Sequence, residues 1–421
     1  MAPNRIAEIR GSVKLAGKTF EQLTSRIHEF HRAISDMPFN AMPAVPGVKQ
    51  GAGSTKTVHD EVTDGVYAAI KGIGGALFKQ ADVALKAAER NFQPATKTSL
   101  AITPPAIARD NVVSAISGFV GDAMAHERNP LRVRLGFYQD GHRMVLTAPV
   151  LAARFPEATG RLVVFVHGLC CNEHSWQLYA DQHRPYGDQL AERGFTPLYL
   201  RYNTGLHISL NGRTLSRALD KLIRQWPVPV QELVLIGHSM GGLVARSAVH
   251  KAQKAGMGWT THVSHILCLG TPHLGAPLEQ LVHAATPVLD TFPLSRPLAK
   301  VLAIRSAGIK DLRHGFTSDA DWKGRPAGAL NAEALTPIPR LETARYHFIG
   351  SSIGLDESDW IGQVLGDGLV KLPSSTARHL ADADTAVLFR AHHMQLLNHP
   401  AIYTQIAQRL GLKATAAKKL K

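Results

Sequence analysis

The chain has 421 residues, 45% hydrophobic and 6% aromatic, enough to fill the core of one large domain or two ordinary ones. Its formal charge of +14 is scattered except in the tail at 413–421, and no zinc-finger spacing or RNA-binding aromatic signature accompanies it, so no nucleic-acid partner is expected. No window approaches the roughly 20 apolar residues of a membrane span, the opening MAPNRIAEIRGSVK lacks the apolar core of a secretory signal, and three cysteines (Cys170, Cys171, Cys268), two of them adjacent, make no disulfide framework. A cytoplasmic protein is expected, with peripheral membrane contact left open.

Residues 6–34 place Ile6, Ile9, Val13, Ala16, Phe20, Leu23, Ile27, Phe30 and Ile34 at alternating spacings of three and four, an apolar helix stripe weakened by Gly11 and Gly17. A Pro/Gly/Ser-rich loop follows, then a second helical pattern over about 58–88 and a third helix at about 109–125. Residues 1–130 thus read as a helical N-terminal extension.

From Leu131 the texture changes. RVRLGFYQDGHRMVL reads as a hairpin turning at Asp140-Gly141. Then come the strand RLVVFV, a helix at 176–193, the strand TPLYLRY, a helix at 215–226, the strand ELVLIGHS, a helix at 243–255 and the strand HILCLGTP. Short continuous apolar strands alternating with helices predict a mostly parallel sheet covered on both faces. The alternation stops near Pro277, where an insertion at about 278–328 reads as short helices broken by prolines. RYHFIGSS and TAVLFRAHH resume the strands, and HPAIYTQIAQRL closes with a helix. The α/β domain is expected over 131–412, with the insertion as a lid and 413–421 as a basic tail.

The stretch Gly237-His238-Ser239-Met240-Gly241 fits G-x-S-x-G between a strand and a helix. In that setting a strained turn lifts the serine hydroxyl clear of the sheet, and the glycines leave room for the helix to pack. A serine nucleophile needs two backbone N–H groups to hold the oxyanion, and a base. Met240 N–H is the first expected donor. The second is Leu169 N–H, in the loop after VVFVHG, where Gly168 permits close approach and His167 holds the loop. His238 and His273 read as scaffold.

The acid and the base should follow on loops after later strands, acid first. Asp367, in a Gly-Asp-Gly turn, is preferred over Asp356 and Asp359. His393 is preferred over His392 and His399, because Leu396-Leu397 would anchor its loop.

These pieces together (VHGLC, GHSMGG, GTPHLGAP, GDGLVKLPSS and HHMQLLNHPAIY) resemble the α/β-hydrolases, specifically the bacterial lipase and esterase group related to the PGAP1-like (GPI inositol-deacylase-like) family, over roughly 131–412. The resemblance implies Ser239 as nucleophile, Asp367 as acid and His393 as base, with Leu169 and Met240 framing the oxyanion hole. It implies ester hydrolysis through an acyl-enzyme without cofactor or metal, on lipid or medium-to-long acyl esters. The vicinal Cys170-Cys171 departs from the small residue or glycine of many relatives. An acyltransferase or thioesterase with the same triad, and a non-catalytic scaffold binding a membrane or partner, stay open as alternatives.

Overall fold

The computed structural model describes residues 104–129, 131–276, 306–324, 335–359, 366–377 and 384–412, together with Ser25 and Asp64, each within a helix. Apart from those two residues, the helices expected at 6–34 and 58–88 lie outside the described residues. So do the apolar first part of the insertion and the basic tail. The chain divides into two compact units, 1–112 and 113–421. Apart from residues 104–112, everything described below lies in the second unit.

The helices in chain order are α1 (Pro104–His126), α2 (Ala148–Arg154), α3 (Tyr186–Ala191), α4 (Ile208–Gln225), α5 (Met240–Lys254), α6 (Ala307–His314), α7 (Asp319–Trp322), α8 (Leu372–Ser375) and α9 (Pro400–Arg409). The strands are β1 (Gly136–Gln139), β2 (His142–Arg143), β3 (Arg161–Val166), β4 (Thr196–Arg201), β5 (Glu232–His238), β6 (Val263–Leu269), β7 (Arg345–Ser352) and β8 (Asp384–Phe389). They form one sheet in the order β2-β1-β4-β3-β5-β6-β7-β8. The hairpin end is antiparallel, β1 pairing with both β2 and β4, and every pairing from β4 to β8 is parallel.

Strand alternation explains the layering. Leu162, Val164, Val166, Leu233, Leu235, Ile266 and Cys268 pack on one face with Leu215, Leu219 and Leu222 of α4 and Leu243, Val244 and Ala248 of α5. Val163, Phe165, Val234, Ile236, Leu267 and Leu269 pack on the other, with Tyr186 and Leu190 of α3 and Ile402 and Ile406 of α9. Both faces are buried, which is why these strands read as unbroken apolar runs.

Helices α2 and α8 were not anticipated, and two expected helices start elsewhere by seven residues or more. The stretch 176–193 is helical only from Tyr186, because Pro185 stands at its N-cap and turns fill the interval after the short 3-10 turn Glu173–Gln177. Helix α4 starts seven residues earlier than the apolar pattern suggested. Gly212 lies inside α4, where a Cβ would overlap the Ser247 side chain of α5. The glycine allows close helix packing rather than ending the helix. The Asp140-Gly141 turn matches expectation, with φ of 51° and 71°, the positive pair of a two-residue hairpin.

Candidate active site

Parallel strands point one way, so their carboxyl ends share one edge, and the loops leaving that edge converge. Ser239 leaves β5 there. Its backbone has φ 53° and ψ −125°, a region that L residues rarely occupy. The Ser239 N–H donates to Leu269 O at 2.8 Å, and Gly242 N–H returns to Ser239 O at 3.1 Å. Gly237 and Gly242 touch so closely that a Cβ on Gly237 would overlap Gly242 N. A Cβ on Gly241 would overlap Val166 O, at the end of β3. The glycines of the motif are thus set by backbone crowding around the serine.

The loop after β3 lies directly against the elbow. A Cβ on Gly168 would stand 3.1 Å from Ser239 Cβ and 3.3 Å from His238 Nδ1. Cys170 follows with φ 61°. Its N–H donates to Thr204 Oγ1 at 3.2 Å, and Cys171 N–H donates to Gly168 O at 3.3 Å. Leu169 N–H, just before Cys170, has no protein acceptor among the described residues, and neither does Met240 N–H at the first position of α5. An oxyanion requires two such unpaired backbone donors.

His167 is a fixed neutral ring. Its Nδ1–H donates to Gly168 O at 2.9 Å, while Nε2 accepts from Tyr202 N–H at 3.3 Å. The ring stacks on Tyr202 at 4.4 Å, and Tyr202 Oη donates to His167 O at 2.8 Å. Burial pushes its pKa down to about 3. Nδ1 is committed to its own loop and Nε2 to the backbone just after β4. The buried ion pair of Glu173 and Arg201, with Nε to Oε2 at 2.6 Å, lies just beyond the same loop.

Asp367 and His393 meet across the loops after β7 and β8. His393 Nδ1 bonds Asp367 Oδ2 at 2.7 Å, and both side chains are buried. The other oxygen, Oδ1, accepts from Leu369 N–H at 3.0 Å and Val370 N–H at 2.7 Å. Ser351 Oγ adds a bond to Oδ2 at 3.3 Å, and His393 N–H donates to Asp367 O at 3.1 Å. Gly366 and Gly368 have φ of 62° and 90°, so the expected glycine turn is present. Asp356 bonds Ser358 and Asp359 in a local exposed turn, and Asp359 caps Leu355 N–H in the same turn. His399 accepts from Ala401 N–H as the N-cap of α9.

Gly270 links His393 to the elbow. It follows Leu269, the acceptor for Ser239 N–H, and a Cβ on it would stand 2.9 Å from His393 Cε1. His238 closes the arrangement: its ring lies 4.7 Å from that of His393, and its Nε2–H donates to His393 O at 3.2 Å. Burial, then the neighbouring His393, holds the His238 imidazole well below its ordinary range. His273 Nδ1 bonds Arg246 Nη1 at 2.7 Å.

Sequence reasoning missed Asn398. At φ 60° it donates Nδ2–H to Trp176 O and Leu178 O, each at 2.8 Å, and accepts from Tyr186 N–H at 3.0 Å. It ties the loop carrying His393 to the one before α3. Its only sequence signal was an asparagine before a histidine and a proline, a common loop composition.

Among the described residues no group of three His, Cys, Asp or Glu side chains is placed to hold a metal, and no helix is long and apolar enough to cross a membrane. A cavity of about 630 Å³ opens elsewhere, at the amino ends of β7 and β8, lined by Arg340, Arg345, His347, Asp384 and Arg409 among others. It is at the opposite edge of the sheet from Ser239 and shares no residue with the site.

A mainly parallel eight-stranded sheet, helices on both faces and a strained serine between β5 and α5 define an α/β-hydrolase fold. Residues 157–325 match the family model described as the PGAP1-like alpha/beta domain, so the resemblance read from the sequence holds for the stretch containing the elbow and the β3 loop. No curated protein matches the chain. Solved structures with which it shares similarity include a Bacillus licheniformis lipase in mature form, at 18% identity and TM-score 0.40, covering 60% of this chain and 92% of that one. A lipase-esterase related protein from Clostridium acetobutylicum is 12% identical with TM-score 0.34, covering 60% and 94%. A Bacillus subtilis carboxylesterase is 9% identical with TM-score 0.34, covering 70% and 98%.

Proposed function

We propose that the chain is a serine hydrolase of carboxylic esters, with Ser239 as nucleophile, His393 as general base and Asp367 as its orienting acid. The observation that carries this reading is the buried 2.7 Å bond between His393 Nδ1 and Asp367 Oδ2 at the sheet edge where Ser239 is held in a strained turn. That bond fixes the imidazole tautomer with the lone pair on Nε2. Nε2 takes the hydroxyl proton as Ser239 Oγ attacks the ester carbonyl carbon. The negative oxygen of the tetrahedral intermediate is held by Leu169 and Met240 N–H. His393 then passes the proton to the departing alcohol oxygen, leaving an acyl-serine. A water, deprotonated by His393, attacks that acyl group, and the acid leaves with Ser239 restored.

The proposed substrates are esters of medium-to-long acyl chains. The support is compositional: Leu281, Val282, Leu289, Phe292, Leu294, Leu298, Val301, Leu302 and Ile304 lie in the insertion that leaves the core just after β6, at the same sheet edge. Each methylene buried in a groove is worth about 0.8 kcal/mol, so a chain-length optimum should be sharp.

The test is labelling by a fluorophosphonate together with turnover of p-nitrophenyl esters of graded chain length. One label per chain on Ser239, absent in Ser239→Ala, and a turnover loss of roughly four to six orders of magnitude in that variant are expected. Labelling elsewhere, or a tenth of wild-type turnover surviving in the variant, would remove Ser239 from the role. Equal kcat/KM from acetate to long-chain esters would remove the acyl-groove reading.

A further inference from the structure

The candidate second oxyanion donor sits on a loop with two neighbours, and one of them is helix α1. From Val113 on, this helix belongs to the same compact unit as the sheet. Its small and polar residues meet three loops at once. Ser117 Oγ donates to Asn203 Oδ1 at 2.8 Å, and Asn203 Nδ2 donates to Gly121 O at 2.8 Å. Gly205 is so close that a Cβ there would overlap Ser117 O. Ser306 Oγ donates to Gly118 O at 2.6 Å, and Asp122 Oδ2 accepts from Ala307 N–H at 2.8 Å. The helix therefore clamps the loop after β4 and the segment entering α6.

Its third contact is Cys170. A Cβ on Gly118 would overlap Cys170 Sγ and stand 3.3 Å from both Cα and N of Cys170. Those backbone atoms belong to the residue with φ 61° that directly follows Leu169. Thr204, next to the clamped Asn203, holds the same Cys170 N–H at 3.2 Å. The Leu169-Cys170 turn is thus pressed between α1 and the β4 loop, and α1 braces both. Burial also raises the Cys170 thiol well above its ordinary range, so its sulfur packs against the helix as a neutral group.

We propose that Gly118 is a positioning residue for this reaction: by carrying no side chain it lets Cys170 seat against α1, which aims Leu169 N–H at the oxyanion. The proposal rests on the ester-hydrolase reading above.

The experiment compares wild type, Gly118→Ala, Gly118→Ala/Cys170→Ala and Ser117→Ala. Active sites are first counted by fluorophosphonate labelling carried to completion. Turnover per labelled site, KM for one p-nitrophenyl ester and inhibition by a trifluoromethyl ketone of the same chain length are then measured. The ketone adds Ser239 Oγ to its carbonyl and reports the oxyanion contacts directly. Gly118→Ala is expected to lower kcat per site about 30-fold and weaken the ketone by a similar factor, with KM within threefold, since one misaimed donor costs up to 10²–10³. Removing the thiol in the double variant should restore most of both. Ser117→Ala, which introduces no clash, should show the same pattern at about threefold to tenfold. If Gly118→Ala does not fold, Ser117→Ala decides. Unchanged turnover per site with fewer sites, or equal losses in kcat and KM without rescue, would overturn the positioning role. A wild type that neither labels at Ser239 nor cleaves esters would instead overturn the functional reading beneath it.

Discussion

The two oxygens of Asp367 have separate duties: Oδ1 takes two backbone N–H groups of its own turn, and Oδ2 faces His393. Asn at this position can keep the turn, yet its amide presents a donor to Nδ1 and favours the wrong tautomer. Asp367→Asn should therefore fold normally and lose about 10³–10⁴ in kcat, while Asp356→Asn stays near wild type; a severe Asp356→Asn phenotype beside a mild Asp367→Asn one would move the acid. His167 gives a stability prediction. Its folded pKa is lowered to about 3 from an ordinary 6.5, so its contribution is complete above pH 6.5 and is lost as pH falls toward 3. Between pH 7.5 and 4.5 this one ring should remove roughly 3 kcal/mol, two pH units at about 1.4 kcal/mol each. His167→Gln keeps a donor and an acceptor, so it should be less stable at pH 7.5 and flatten the pH dependence by that amount. Urea midpoints at the two pH values measure it, and an unchanged slope would show that the ring does not titrate on unfolding.

At the scale of elements, the base loop is held by polar ties as well as by Leu396 and Leu397, both fully buried. Asn398→Asp keeps the shape but turns the two donations to Trp176 O and Leu178 O into oxygen-oxygen contacts. A loss of about 2–3 kcal/mol is expected, with kcat falling more than KM rises, because His393 lies five residues away on the same loop. A variant that is destabilised yet keeps wild-type kcat would show that the loop holds its base without Asn398. This tie also marks the limit of what the sequence disclosed. The strands from β3 to β6 were legible because burial on both faces leaves an unbroken apolar run, and the elbow because its glycines are fixed by backbone crowding. Asp367 and His393 stood out through the Gly-Asp-Gly turn and the leucine pair. The early start of α4 was hidden because Gly212 serves packing against Ser247 rather than chain reversal. Asn398 and the bracing by Ser117, Gly118 and Gly121 were hidden for another reason. Their partners are 52 to 222 residues distant along the chain, and nothing local records them.

At the scale of the molecule, the candidate groups come from the ends of β3, β5, β7 and β8, so they converge only when the parallel sheet is paired across that span. Esterase activity and the far-UV dichroism signal should accordingly disappear at the same urea concentration. Activity lost well before the dichroism would mean that the loops after β7 and β8 open while the sheet persists. The strand order carries a further consequence for a chain made from its amino end. Ser239 and both proposed oxyanion donors sit in strands and loops that leave the ribosome early, and β5 already has β3 beside it. His393 follows β8, the last strand added to the sheet edge. The proposed nucleophile is therefore assembled more than 150 residues of synthesis before its proposed base arrives. A nascent chain halted near residue 380 would bury its core strands and present the elbow, yet leave every ester it met intact.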